Sequence, residues 1–279
     1  MQIFQLIQKA LDDLYPKIPG SDLVKDVTIN NCLKLLQHEY KNLAHVGRVP
    51  IDYRRPEMRF AYIYKYTTAH SDYINKIIPR SSLAKLFDRD TLKIACVGGG
   101  PGSDLIGILK YMILFGNSAK VTFYLYDKEP LWGESWAEIG THLDDNFRIY
   151  PIFQPIDILN SSDWRDRSFS NIDLYTFSYF ISEIYYNRTV AKNFFKHILT
   201  QAKVGAQVLY VDNNDKAGSF VSFMKEVLAE VGFEIEIERC EEMVFGSDEQ
   251  KDDLGIYFQK FGWPKRKGNI CYLVARKVK

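Results

Sequence analysis

Residues 92–109 read LKIACVGGGPGSDLIGIL, and the change of pattern inside this stretch decides the fold. Leu92 to Val97 is an apolar, β-prone run that stops at Gly98, Gly99 and Gly100. Pro101 and Gly102 complete a turn, Ser103 and Asp104 are placed to cap a helix, and an apolar helical stretch follows. A glycine turn between a buried strand and a helix lets a ligand approach backbone atoms where a Cβ would collide. The new helix points its free N–H groups at whatever sits there. The stretch therefore reads as a binding site for a nucleotide-like group.

Downstream, strand-like and helix-like segments alternate. The pattern predicts strands at 92–98, 120–127, 148–153, 171–178, 205–212, 232–240 and 269–277. It predicts helices at 103–115, 130–143, 188–202 and 217–231, with a weak one near 161–167. Such alternation indicates an α/β fold, a doubly wound, mostly parallel seven-stranded sheet with helices on both faces. A long polar insert, Glu241 to Gly268, precedes the last strand and shows no clear helix. It suits a sheet that ends in an antiparallel hairpin, with the last strand antiparallel.

Residues 1–90 differ. Helical patterns fall at 2–14, 22–46 and 57–78, punctuated by Pro16, Pro19, Pro50, Pro56 and Pro79. The tyrosine-rich stretch RFAYIYKYTTAHSDYI (59–74) is expected to belong to a helical cap over the carboxyl edge of the sheet. The expected division is a helical cap or lid at 1–90 and an α/β domain at 91–279.

Composition narrows the class. With 46% apolar and 25% charged residues the chain reads as globular rather than disordered. A net charge of +1 gives no global field for nucleic acid. No apolar run is long enough to span a bilayer, and the N-terminus resembles neither a signal nor a transit peptide. Cys32, Cys96, Cys240 and Cys271 form no CxxC pair, so neither a disulfide framework nor a structural zinc site is expected and no metal ligand is assigned. A reducing compartment, cytoplasm or nucleus, is the expected location.

The glycine spacing separates two cofactor classes. A dinucleotide fingerprint GxGxxG needs glycine where Ser103 stands, which counts against a nicotinamide-dependent oxidoreductase. The spacing present is GxGxG, at Gly98, Gly100 and Gly102. The second strand ends in Asp127, a carboxylate suited to ribose hydroxyls. The third leads into FQPIDIL with Asp157. The fourth, NIDLYTFS, runs into YFISEIY. In their order these features resemble the class I S-adenosylmethionine-dependent methyltransferases over roughly residues 90–279.

That resemblance implies a Rossmann-like methyltransferase with S-adenosylmethionine as cofactor. It implies contacts from Gly98, Gly99, Gly100, Gly102, Asp127 and the neighbouring Lys128, from Trp132 over the adenine, from Asp157 and Ile158 at the adenine amino group, and from Ser178. Family members often carry an acid where Cys96 stands, and Asp104 is the candidate substitute. Ser178, Tyr179 and Glu183 fall at the family's catalytic motif. Other readings stay open beside these. Asp104 suits the positive end of a helix dipole, Asp127 suits a helix N-cap before Pro130, Trp136 suits the core, and Glu183 suits a cap.

In a helix, Tyr62, Tyr66 and His70 share one face and would form a lid over the cofactor or acceptor. The acidic run Glu249, Asp252 and Asp253 and the basic residues Lys265, Arg266, Lys267, Arg276, Lys277 and Lys279 read as solvated surface, the basic set leaving room for RNA contact. No base-methylating Asn/Asp-Pro-Pro motif and no pyrimidine-attacking cysteine is present. The expected activity is methyl transfer to an O or N acceptor on RNA, protein or a small molecule. The alternative is a catalytically inactive methyltransferase-like binding or assembly protein.

Overall fold

A computed structural model describes residues 2–43, 51–143, 148–215, 217–246 and 248–279. Seven strands form one sheet: β1 (Thr91–Val97), β2 (Lys120–Asp127), β3 (Ile149–Pro155), β4 (Leu174–Ser178), β5 (Gln207–Asn213), β6 (Phe233–Val244) and β7 (Lys267–Lys277). Their order is β3-β2-β1-β4-β5-β7-β6. Strands β1 to β5 pair in parallel, and β7 runs antiparallel to both β5 and β6. This is the doubly wound sheet with an antiparallel last strand that the alternation indicates. The order reverses between β1 and β4, which opens a crevice at the carboxyl ends of those strands.

Side-chain alternation along β1 assigns the two faces. Leu92, Ile94 and Cys96 enter one core, and Ala95 and Val97 enter the other. The first core is covered by α1 (Ile3–Leu14), α2 (Asp22–Glu39), α3 (Pro56–Tyr62), α4 (Thr68–Ile77), α5 (Ser103–Leu114) and α6 (Trp132–Thr141). The short α7 (Ile181–Ile184), together with α8 (Arg188–Thr200) and α9 (Ser219–Glu230), covers the second. Residues from both sides of position 90 thus share one core. The N-terminal helices do not only cap the carboxyl edge as expected; α4 lies along α5. The two backbones meet so closely that a Cβ on Gly107 would stand 2.4 Å from the Ser71 carbonyl oxygen.

Several boundaries differ from the sequence expectation. The helix expected at 57–78 is broken by a π turn at Ile63–Thr67, and that expected at 22–46 ends at Glu39, residues 44–46 (with Pro50) lying outside the described residues. The weak helix near 161–167 is a single 3-10 turn at Ser161–Asp163. The polar insert holds the end of β6 and a short helix, α10 (Ile256–Phe261). Gly205, several residues past the end of α8, turns the chain toward β5 with φ 83°.

Two surface expectations and one about the cysteines are corrected. Glu249 is buried, and its carboxylate accepts the N–H groups of Ile3 (2.7 Å) and Phe4 (2.9 Å) at the start of α1. It also meets Lys110 of α5 at 3.1 Å, which contacts Asp248 at 2.9 Å and Asp72 of α4 at 3.7 Å. A helix start left bare inside the protein needs such a partner, and the only signal in sequence was a carboxylate in an acidic run. Lys277 is also buried and donates to the carbonyls of Leu199 (3.2 Å) and Val231. Cys240 and Cys271 form a disulfide. They lie opposite each other in the β6–β7 register, a juxtaposition that spacing along the chain does not reveal, and the argument for a reducing compartment loses that support. Among the described residues no helix is long and apolar enough to cross a membrane, and no cluster of three or more potential ligands could hold a metal.

Candidate active site

The crevice at the carboxyl edge holds a cavity of about 320 Å³. Of the residues expected at the cofactor, Gly98, Gly100, Asp127, Lys128, Trp132, Asp157, Ile158 and Ser178 line it, together with Tyr62, Tyr179 and Glu183. Gly99, Gly102, Asp104, Tyr66 and His70 do not.

The glycines of the turn divide by role. A Cβ on Gly100 would find only Trp132 near it, at 3.9 Å, so this residue leaves an open cradle beside the indole. On Gly98 a Cβ would fall 2.1 Å from the Phe180 ring, and on Gly102 2.7 Å from the Trp136 ring. Those two serve close packing of neighbouring aromatics. Gly102, not Ser103 or Asp104, is the N-cap of α5, in the left-handed region at φ 80° with no side-chain cap, a conformation in which glycine escapes the Cβ clash.

Asp127 ends β2 inside the turn. Its Oδ2 accepts the Gly100 N–H and its Oδ1 the Glu129 N–H, both at 3.0 Å. Burial pushes its carboxyl up to about 6 despite those two bonds. Each oxygen keeps a second lone pair for a ligand donor. Asp157 lies across the cavity, where its Oδ1 accepts the Leu159 N–H at 2.9 Å. Trp132, 2% exposed, packs against Tyr53 at 5.1 Å and Tyr62 at 5.6 Å between ring centroids.

Asp104 goes beneath the turn rather than into the cavity. It is 2% exposed and accepts the Thr176 hydroxyl of β4. Burial raises its carboxyl to about 6, opposed by Thr176 and Ser178. Burial, reinforced by the charge of Asp104, pushes the Cys96 thiol well up.

On the β4 side, Tyr179 is the one non-glycine residue with positive φ (54°) among the described residues, a strained conformation of the kind that clusters at functional sites. His70 stacks on its ring, centroids 3.4 Å apart and planes within 9°, so it lies behind Tyr179. Burial and the nearby Lys265 push the imidazole well below its ordinary value, which keeps it neutral. Lys265, expected on the surface, reaches inward over the Tyr179 ring at 4.8 Å. Tyr62, Tyr66 and His70 do share a face, with neighbouring centroids 5.5 and 5.6 Å apart. Glu183 lies within α7 and accepts the Tyr40 hydroxyl, while Tyr40 and Tyr53 share a hydrogen bond at 3.1 Å.

The sequence reading missed the wall formed by Ile51–Arg54, the tyrosine Tyr126, and Tyr186 and Asn187 beyond Glu183. The last two had a signal, since they stand one turn past Glu183. Tyr53 and Tyr40 had none, because chain far from β4 brings them there.

No family model matches the chain, and no curated protein matches it in sequence. Solved structures do match. An O-methyltransferase family protein from Burkholderia thailandensis has a TM-score of 0.55 at 12% identity, over 90% of this chain and 72% of that one. The CurJ carbon methyltransferase has a TM-score of 0.52 at 13% identity, over 98% of this chain and 70% of that one. Strand order, switch-point cavity and these likenesses together show that the chain has the fold of the class I S-adenosylmethionine-dependent methyltransferases.

Proposed function

We propose that this protein binds S-adenosylmethionine in the carboxyl-edge cavity and transfers its methyl group to an O or N acceptor. The observation that carries this reading is the pairing of an open backbone cradle at Gly100 with the half-buried Asp127 carboxylate in one cavity. Asp127 has a free lone pair on each oxygen for two ribose hydroxyls, and its bond to Gly100 fixes it to the turn. Trp132 and Ile158 offer apolar surface to an adenine, and Asp157 offers an acceptor to its amino group. The site therefore fits the cofactor at its nucleoside end.

Bound S-adenosylmethionine would supply an electrophilic methyl group on a sulfonium. The protein's part is to hold the acceptor in line with that methyl and to exclude water. Ser178 and Tyr179 stand at the end of β4 to position the acceptor, and Glu183 is placed to take its proton. Tyr40, donating to Glu183, holds the carboxylate in orientation.

Calorimetric titration with S-adenosylhomocysteine tests this reading, and no heat of binding at millimolar ligand refutes it. Asp127→Ala should weaken binding by about 1.5–3 kcal/mol, the worth of a hydrogen bond to a charged group. One observation supports the inactive alternative: neither Cys96 nor Asp104 lines the cavity, so neither brings a carboxylate to the methionine end. Cofactor that copurifies without turnover on any acceptor fraction would favour that alternative.

A further inference from the structure

On its second-core side the sheet is left uncovered where β2 and β3 meet. The connection from β3 to β4 holds a single 3-10 turn, Ser161–Asp163, where a doubly wound fold would set a helix over the sheet. Residues paired across neighbouring strands project to the same face. Lys93, Thr122 and Tyr150 therefore form one row, and Ala95, Tyr124 and Ile152 the next. Ala95 is buried in the second core, but the rows emerge at the β3 edge, where Tyr150 is 49% and Ile152 39% exposed. Lys120, two positions before Thr122, sets its Nζ over the Tyr150 ring at 4.8 Å. From there an open groove of about 720 Å³ follows the amino edge of the sheet. Arg89, Lys93, Lys120 and Lys203 line it, against two carboxylates among the described residues, Asp90 and Asp173. Asp173 is neutralised inside the protein by Arg89 at 2.8 Å, Lys203 at 2.7 Å and the Lys93 N–H at 2.9 Å. Lys93 and Lys120 form no ion pair among the described residues.

We propose that this face binds single-stranded nucleic acid, with bases laid against Tyr150, Tyr124 and Ile152 and phosphates drawn to Lys93 and Lys120. Every base has a π face and every nucleotide a negative charge, so a surface that sets exposed rings among cations takes a single strand without reading its sequence. A duplex hides its base faces in the stack, and an open sheet face offers no helix or ribbon to enter a groove. An acidic peptide would meet the lysines but has no flat group for the rings. The net charge of +1 conceals the patch, because the surplus is local to the amino edge. The groove lies at the opposite edge of the sheet from the cofactor cavity and shares no residue with it. The inference therefore goes beyond the methyltransferase reading and does not depend on it.

Fluorescence anisotropy with labelled oligouridylate and oligothymidylate, each about 12 nucleotides long, tests the proposal. A Kd of about 1–100 µM at about 0.1 M salt is expected, and the tighter of the two identifies the sugar this face prefers. Tyr150→Leu keeps apolar bulk at an exposed position but removes the ring, and should weaken binding by about fivefold or more. Tyr150→Trp restores a stacking platform and should bind at least as well as the natural protein. Lys93→Gln combined with Lys120→Gln should make the slope of log K against log salt shallower by about 1.4, two phosphates at about 0.7 each. No anisotropy change at about 0.5 mM protein would overturn the proposal. So would a duplex bound as tightly as either single strand, or polyglutamate competing as well as unlabelled oligouridylate. Binding that is lost through Arg266→Gln and Lys267→Gln but survives the changes at Lys93 and Lys120 would overturn it as well.

Discussion

Asp104→Asn should stabilise the protein in a pH-dependent way. Asp104 is 2% exposed in the first turn of α5 and shares its carboxylate with the Thr176 hydroxyl. Burial moves its carboxyl from 3.8 to about 6. In the window between those values the folded state holds a proton that the unfolded state has lost, so stability falls as pH rises. The contribution is whole below 3.8 and gone once pH passes about 6. At about 1.4 kcal/mol for each pKa unit, the difference amounts to about 3 kcal/mol. Asparagine keeps an acceptor for Thr176 and carries no charge to desolvate. Urea denaturation of both proteins at about pH 4 and about pH 8 should therefore show the variant gaining about 3 kcal/mol on the natural protein between the two. A gap that is the same at both pH values would show that Asp104 titrates as a solvated acid, and the burial argument would fail.

Other outcomes follow from the same geometry. Lys110→Met leaves Glu249 buried without its cation, while Asp72 keeps Lys76 at 2.6 Å, and should cost about 3–5 kcal/mol, read as a lower urea midpoint. Gly102→Ala should lose more than Gly116→Ala in thermal melts. Both residues are left-handed, at about 1–2 kcal/mol for the added Cβ, but only at Gly102 does the Cβ meet a ring, at 2.7 Å. For the disulfide, thiol labelling of the denatured, unreduced protein should mark Cys32 and Cys96 alone. Reducing it should cost about 3–4 kcal/mol for a loop spanning 31 positions; labelling of all four cysteines before reduction would contradict the pairing.

The sheet was legible because its signals are local. The run Leu92–Val97 alternates between two cores, and the glycines after it announce the turn before any tertiary contact forms. Asp127 could be placed for the same reason, since the end of a strand next to that turn has only one edge to occupy. What escaped the sequence depends on register or on distant chain. Cys240 and Cys271 meet only because β6 and β7 pair as they do. Tyr40 and Tyr53 reach Glu183 and Trp132 through the path of the N-terminal helices across the cavity. Glu249 looked solvated because an acidic run on paper does not show the two bare N–H groups that wait for it. The π turn at Ile63–Thr67 is a backbone accommodation; evenly spaced tyrosines do not encode it.

The cap on α1 has a consequence for synthesis. The hydrogen bond from Ile3 to Glu249 spans 246 positions, so α1 is not capped until synthesis has passed Glu249. At about 5–20 residues per second, that is a wait of roughly 12–50 s. Throughout it the apolar face of α1, with Ile3, Phe4, Ile7 and Leu11 wholly buried in the finished fold, is seated only in part, against α3, α4 and α6. The nascent protein thus carries a partly uncovered, chaperone-accessible segment, and its release should coincide with the arrival of the β6–β7 insert.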